Sequence, residues 1–162
     1  MKKFYNGDIM NSEIKLIASN KKAFHNYFIS ELTEAGIVLE GSEVKSLRLN
    51  GISLGESYVF IKNGEIFLKN AYIKLYENSS VFKPDERRDR KLLLHKAEIE
   101  KLQKKVKEKG FSLMATKVYF KKGKVKVEVG LAKGKHLYDK RETLKDKVTA
   151  REVDRFVKFG GR

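Results

Sequence analysis

The side chains that could do chemistry in this chain are few. It has no cysteine, three histidines at positions 25, 95 and 136, and carboxylates without a regular spacing. His25 stands among Lys21, Lys22 and Asn26, but a general base needs an orienting partner and a substrate proton within reach, and neither is visible around it. Glu34, Glu40 and Glu43 lack the accompanying aspartates of a two-metal site. Without cysteine there are no disulfides, thiolate zinc sites or cysteine nucleophiles. Neither a G-x-x-x-x-G-K-[ST] loop nor a G-x-G-x-x-G fingerprint occurs. The expectation is no enzyme, no catalytic residue, no metal, no cofactor and no small-molecule substrate. A metal-free ribonuclease using His25 and a carboxylate would be revealed by RNA cleavage that His25→Ala abolishes. Interleaved cations and rings are more informative. Lys21, Lys22, His25, Tyr27 and Phe28 combine phosphate attraction with base stacking. Arg87, Arg88, Arg90 and Lys91 form a denser cluster, and arginine's planar fork suits phosphate and guanine edges.

Charge points the same way. The 162 residues carry 36 Lys and Arg against 21 Asp and Glu, a formal +15. An excess of this size attracts polyanions through counterion release, so nucleic acid is the expected partner, with a merely solubilising surface as the alternative. A hydrophobic share of 41% is enough for one core. No run is apolar enough to cross a bilayer, and Met1 to Met10 lacks the apolar segment of a secretory signal. A cytoplasmic protein without a membrane partner is expected.

The elements that must position these residues follow from periodicity. Residues 1–14 mix Lys, Asn, Gly and Asp without a period and read as a loose extension. Tyr27-Phe28-Ile29 and Ile37-Val38-Leu39 read as two strands separated by a turn at Glu34-Ala35-Gly36. Val44, Leu47 and Leu49 predict a short helix with Ser42 as N-cap and Asn50-Gly51 as stop. Ser57 to Lys62 and Glu65 to Lys69 flank Asn63-Gly64, the pair that accommodates positive φ in a type I′ hairpin turn. Asn78 to Arg90 holds the single proline, Pro84, and reads as an exposed loop. Ile99, Leu102 and Val106 predict a helix over Leu94 to Lys109, which His95 would start. Leu113 to Lys121 and Lys124 to Val129 alternate across Lys122-Gly123, a second hairpin with Val125, Val127 and Val129 on one face. Several antiparallel strands and two body helices predict a mainly β fold, an OB-like closed β-barrel over residues 15–133. Residues 134–162 form a basic tail, with ten basic and five acidic side chains from Lys133 onward. Its stripe of Leu144, Val148, Phe156 and Val157 is broken, and Thr143 with Asp146 reads as a capping pair. Nucleation is costly and little apolar area offsets it, so the tail is expected to be disordered alone, or to frame only a frayed helix.

Several blocks, in order, resemble one family. Asn20-Lys21-Lys22-Ala23-Phe24-His25-Asn26-Tyr27-Phe28, Glu34-Ala35-Gly36-Ile37-Val38-Leu39, Gly41-Ser42-Glu43-Val44-Lys45-Ser46-Leu47-Arg48, Arg90-Lys91-Leu92-Leu93-Leu94-His95 and Gly130-Leu131-Ala132-Lys133-Gly134-Lys135 with Asp139-Lys140-Arg141 look like the SsrA-binding protein (SmpB) family. The resemblance runs from about Asn20 to Lys158. It implies a non-enzymatic adaptor that binds the tRNA-like domain of transfer-messenger RNA (tmRNA) and delivers it to stalled ribosomes for rescue and peptide tagging. A generic OB-type single-stranded RNA binder is the alternative.

The resemblance also implies residue roles. Asn20, Lys21, His25, Tyr27 and Glu34 would form an RNA patch with Leu93 and Lys126 beside it, and Arg48, Arg88 and Arg90 would add cations. Glu34 can only accept hydrogen bonds, so it suits base or ribose donors or the orientation of a cation, and a turn cap before Gly36 is an equal reading. In the tail, Gly134, Lys135, Tyr138, Asp139, Lys140, Arg141, Phe156 and Val157 would serve the decoding centre and mRNA path of the small ribosomal subunit, helical there. The family's usual Asp-Pro-Thr-Arg-Thr-Arg is replaced by Asp85-Glu86-Arg87-Arg88-Asp89-Arg90, and Tyr138 stands where some members carry His.

Overall fold

The computed structural model describes residues 14–79, 83–108 and 110–159, with the backbone alone at 137–140, 143, 153 and 156–159. The expected N-terminal extension lies almost wholly outside the described residues. In chain order the elements are β1 (Ile14–Ser19), α1 (Lys21–Asn26), β2 (Tyr27–Ile37), α2 (Gly41–Asn50), β3 (Tyr58–Lys62), β4 (Glu65–Lys69), β5 (Arg90–Leu93), α3 (Lys96–Lys107), β6 (Phe111–Lys121), β7 (Lys124–Gly134) and α4 (Leu137–Phe159).

All seven strands belong to one antiparallel sheet, in the order β1-β6-β3-β4-β5-β2-β7. Strand β7 also pairs with β6, so the run of neighbours returns to β6. The two expected hairpins lie where local chemistry puts them. Asn63 (φ 52°) and Gly64 (φ 73°) turn β3 into β4, with Lys62 opposite Glu65. Lys122 (φ 51°) and Gly123 (φ 75°) turn β6 into β7, with Lys121 opposite Lys124. The alternation of these strands sends Val59, Ile66, Leu68, Val118, Val127 and Val129 into one buried core, and Ile99 and Leu102 of α3 pack onto it. Each such side chain, fully buried, contributes about 1.5–3 kcal/mol of transfer free energy. The Glu98 carboxylate accepts from the His95 amide at 3.0 Å, so His95 does start α3.

Several local expectations give way to tertiary context. The expected turn at Glu34-Ala35-Gly36 is continuous strand, because Glu34, Ala35 and Gly36 pair with Glu128, Val127 and Lys126. Gly36 is there for close approach, since a Cβ on it would sit 3.2 Å from Leu93 Cβ. The real interruption of β2 is a bulge between Ser30 and Thr33, where Glu31 takes φ 47°. Residues Lys21 to Asn26, to which periodicity assigns no element, are helical. Helix α2 starts at Gly41, its N-cap being Glu40 rather than Ser42, and the Glu43 carboxylate accepts from the Glu40 amide at 2.9 Å. Leu49 is 73% exposed and lies off the buried stripe of α2. Pro84 is buried, so the loop is anchored there. Strand β7 continues to Gly134, paired with Tyr27, and the Lys135 amide donates to Asn26 O at 2.9 Å. Gly134 and Lys135 therefore belong to the body. Beyond them α4 is one helix, with Thr143 and Asp146 inside it rather than at a cap, and with Leu144 and Val148 half exposed.

Candidate nucleic-acid interface

Asn20, expected to touch RNA, is 2% exposed and fully used by the protein. Its Oδ1 accepts from the Ala23 amide at 3.0 Å and caps α1. Its Nδ2 donates to Leu54 O at 3.1 Å and Ala115 O at 3.0 Å. With every polar atom committed inside, Asn20 is a positioning residue. It sets a six-residue helix on the sheet so that Lys21 and Lys22 face solvent. His25, half-buried, hydrogen-bonds Asn26 Oδ1 through Nδ1 at 3.0 Å; an amide oxygen only accepts, so Nδ1 is the donor of that bond. Tyr27 follows at the start of β2, half-buried, and Phe28 is 52% exposed beneath Lys135, whose Nζ lies 5.0 Å from the ring centroid. Lys135 Nζ also donates to Phe24 O at 3.2 Å.

The far end of β2 gathers a second group. Glu34 lies seven residues beyond Tyr27, roughly 23 Å of strand, so the expected patch is elongated. Here Tyr119 donates its hydroxyl to Glu34 Oε2 at 2.6 Å, and Lys121 Nζ lies 3.2 and 3.1 Å from the two carboxylate oxygens. This disposes of the turn-cap reading of Glu34. The Tyr119 hydrogen bond holds the Glu34 carboxyl below the usual carboxylate range against the opposing effect of burial, helped by Lys121 and by the charge of Lys126. Burial, then the Glu34 hydrogen bond and charge, push the Tyr119 hydroxyl well above its ordinary value. Lys126 pairs with both Gly36 and Tyr119, and Leu93, 53% exposed, pairs with Gly36. The structure thus brings Glu34, Leu93 and Lys126 together. It adds Tyr119 and Lys121, which sequence reasoning missed. The signal was present in the second hairpin, where residues facing each other across the strands share a face.

Two members of the arginine cluster, Arg88 and Arg90, are engaged within the protein. Arg90 is 0% exposed and Glu43 4%. Arg90 Nε donates to Glu43 Oε1 at 3.0 Å, and its Nη atoms donate to Ala71 O at 2.7 Å, Glu86 O at 3.1 Å and Arg88 O at 3.2 Å. Arg88 grips the same carboxylate with Nε to Oε1 at 3.0 Å and Nη2 to Oε2 at 2.6 Å. Burial opposes the charge of Glu43, yet the Arg88 hydrogen bonds, the Glu40 amide and Arg90 hold it below the usual carboxylate range. Burial also lowers the pKa of Arg90. The fork read as an RNA cation therefore pins α2 to β5 of the sheet. Arg87 remains exposed over the Tyr72 ring at 5.4 Å, and Arg48 is exposed over the Phe120 ring at 5.5 Å.

Helix α4 passes close to α1. Arg141 is exposed on it. The side chains of Tyr138, Asp139, Lys140, Phe156 and Val157 lie outside the described residues. Among the described residues, no group of three or more His, Asp or Glu could hold a metal ion.

Comparison with known proteins gives a consistent answer. The model of the SmpB protein family matches residues 17–159. The SsrA-binding protein of Acetivibrio thermocellus is 52% identical over 146 residues, 90% of this chain and 95% of that protein. That of Geobacter metallireducens is 55% identical over 139 residues, 86% of this chain and 91% of its own. A solved chain described under "tmRNA-SmpB: a journey to the center of the bacterial ribosome" superposes with a TM-score of 0.63 at 44% identity, covering 78% of this chain and 93% of that one.

Proposed function

The chain belongs to the SmpB family, and from that premise we propose that it is a non-enzymatic RNA adaptor, binding the tRNA-like domain of tmRNA and carrying it to ribosomes stalled without a stop codon. The observation that carries this is the cluster of Glu34, Leu93, Lys121 and Lys126 on one strand surface of a chain with a formal charge of +15. Lysines there neutralise phosphates. Glu34 keeps Lys121 and the Tyr119 hydroxyl oriented before RNA arrives, and exposed Leu93 offers an apolar contact to a ribose or base. Lys21, His25, Tyr27 and Arg48 extend the surface, while Asn20, Arg88 and Arg90 support it from inside.

The returning strand pairing, with β7 running on to Gly134, supports reading the body from residue 15 to the end of that strand as a closed, OB-like barrel. The basic helix beyond it is a ribosome-directed tail, with Tyr138 stacking on an rRNA base near the decoding centre and Lys140 and Arg141 holding the backbone. In the free protein this tail samples disorder, a reading supported by the half-exposed Leu144 and Val148 among its described side chains. Among the described residues no helix is long and apolar enough to cross a membrane, and a cytoplasmic place follows from the ribosomal partner. The test is capture of the protein from lysate with sequencing of bound RNA. One dominant structured species supports the adaptor, and a broad mixture supports a generic single-stranded RNA binder instead. Replacing Asp139, Lys140 and Arg141 by Ala should leave tmRNA binding near normal and abolish most peptide tagging on stalled ribosomes; normal tagging would remove the decoding role.

A further inference from the structure

Strands β3 and β6 meet in register at one pair only, Val59 with Leu113. Beyond it the strands splay, and an open groove of about 740 Å³ lies between β3, the end of α3, the start of β6 and the α1–β2 junction. This is within the size range of pockets that hold small ligands, about 300–1,000 Å³. Its lining includes four aromatic rings, Tyr27, Tyr58, Phe60 and Phe111, together with Lys22 and Lys107. Tyr58 is 40% exposed, its ring 6.3 Å from Phe60. Further cations reach the same rings from outside: Lys69 lies 5.9 Å from the Phe60 centroid, and Lys133 lies 5.9 Å from that of Phe111. Among these, Lys22 is shared with Glu56 at 2.5 Å, so the rim keeps an excess of positive charge.

A groove walled by rings and rimmed by lysines suits a flat π-system joined to a phosphate chain better than an aliphatic helix face, which would leave the cations opposite no anion. Alternating stacking surfaces with a cationic track are what single-stranded nucleic acid requires. We propose that this groove is a second RNA site, taking an unpaired base of an RNA strand against Tyr58 and Phe60, with Lys107 on the adjoining phosphate. It rests on the reading of the chain as an RNA adaptor and uses residues away from the Glu34–Lys126 cluster.

The probe is a single-stranded hexaribonucleotide carrying 2-aminopurine, whose fluorescence falls when the base stacks on a ring, titrated into the full-length protein. Wild type quenches it. Tyr58→Ala weakens binding about five-fold or more and relieves the quenching, and Tyr58→Phe restores both. Lys107→Gln flattens the log-log salt dependence by about one unit. Absence of quenching by wild type, or quenching and affinity unchanged in Tyr58→Ala, overturns the site, and adenosine monophosphate binding as tightly as the hexamer overturns the strand assignment. Thermal melts confirm that the variants fold; should Tyr58→Ala fail to, the Lys107→Gln slope decides, an unchanged slope overturning the site. Lys126→Ala, measured with the tRNA-like domain of tmRNA, reports on the other cluster alone, so failure of the groove and failure of the adaptor reading give different patterns.

Discussion

Arg90→Ala separates a structural arginine from an RNA-binding one. In the folded chain the guanidinium lies 2.9 Å from Glu43 through Nη2 and gives further hydrogen bonds to the carbonyls of Ala71, Glu86 and Arg88. Truncation leaves Glu43 buried with Arg88 as its remaining cation, strands three carbonyls and opens a cavity. Removing one partner of a buried pair costs about 3–5 kcal/mol. For a body of this size that lowers the melting temperature by roughly 10–20 °C. Arg90→Lys recovers little, because a point charge cannot reproduce a fork aimed at one carboxylate and three carbonyls. Arg88→Ala costs less, about 1.5–3 kcal/mol, since Glu43 keeps Arg90. The assay is a thermal melt of each variant at neutral pH, with affinity for the tRNA-like domain and its salt slope measured at a temperature where all are folded. The expected result is a large loss of stability with an unchanged slope. A melting temperature within about 3 °C of wild type, combined with a slope flattened by about one unit, would refute the reasoning and return Arg90 to the RNA surface.

Lys126→Ala should flatten the salt dependence of RNA binding by about one unit of log-log slope, whereas Glu34→Gln should lower affinity with the slope unchanged; equal slopes for Lys126→Ala and wild type would remove the phosphate contact. Because Tyr119 and Lys121 hold the Glu34 carboxyl below its ordinary value of 4.5, its contribution to stability is complete above that pH and is lost as pH falls through the lower folded value. Wild type should therefore lose melting temperature more steeply than Glu34→Gln on acidification below pH 4.5, and parallel curves would deny the carboxylate that role. At Gly130 a Cβ would lie 2.5 Å from Ile29 Cγ2, so Gly130→Ala should cost about 1–3 kcal/mol in denaturant unfolding, and a neutral result would mean that the β2 bulge relaxes freely.

Much of the frame was legible because its causes are local. Asn63-Gly64 and Lys122-Gly123 impose their turns through the φ values of two adjacent residues, and the strands beside them alternate with a period that needs no distant partner. The spacing of Ile99 and Leu102 marked the buried side of α3 for the same reason. Ordered blocks from Asn20 to Asp139-Lys140-Arg141 named the family without any geometry. What stayed hidden depends on contacts between residues far apart in the chain. Glu34-Ala35-Gly36 has the composition of a turn, and only pairing with Lys126, Val127 and Glu128 makes it strand. Asn20 and Arg90 have the side chains of RNA ligands. Asn20 is taken out of solvent by Ala115, 95 residues away, and Arg90 by Glu43, 47 residues away. Tyr119 and Lys121 come to Glu34 only because β6 and β2 flank β7 in the sheet. Sequence determines what each side chain can donate, accept or neutralise. Burial and strand register decide which of those capacities the protein consumes internally and which it leaves for a partner, because a polar group withdrawn from water must be paired within the fold.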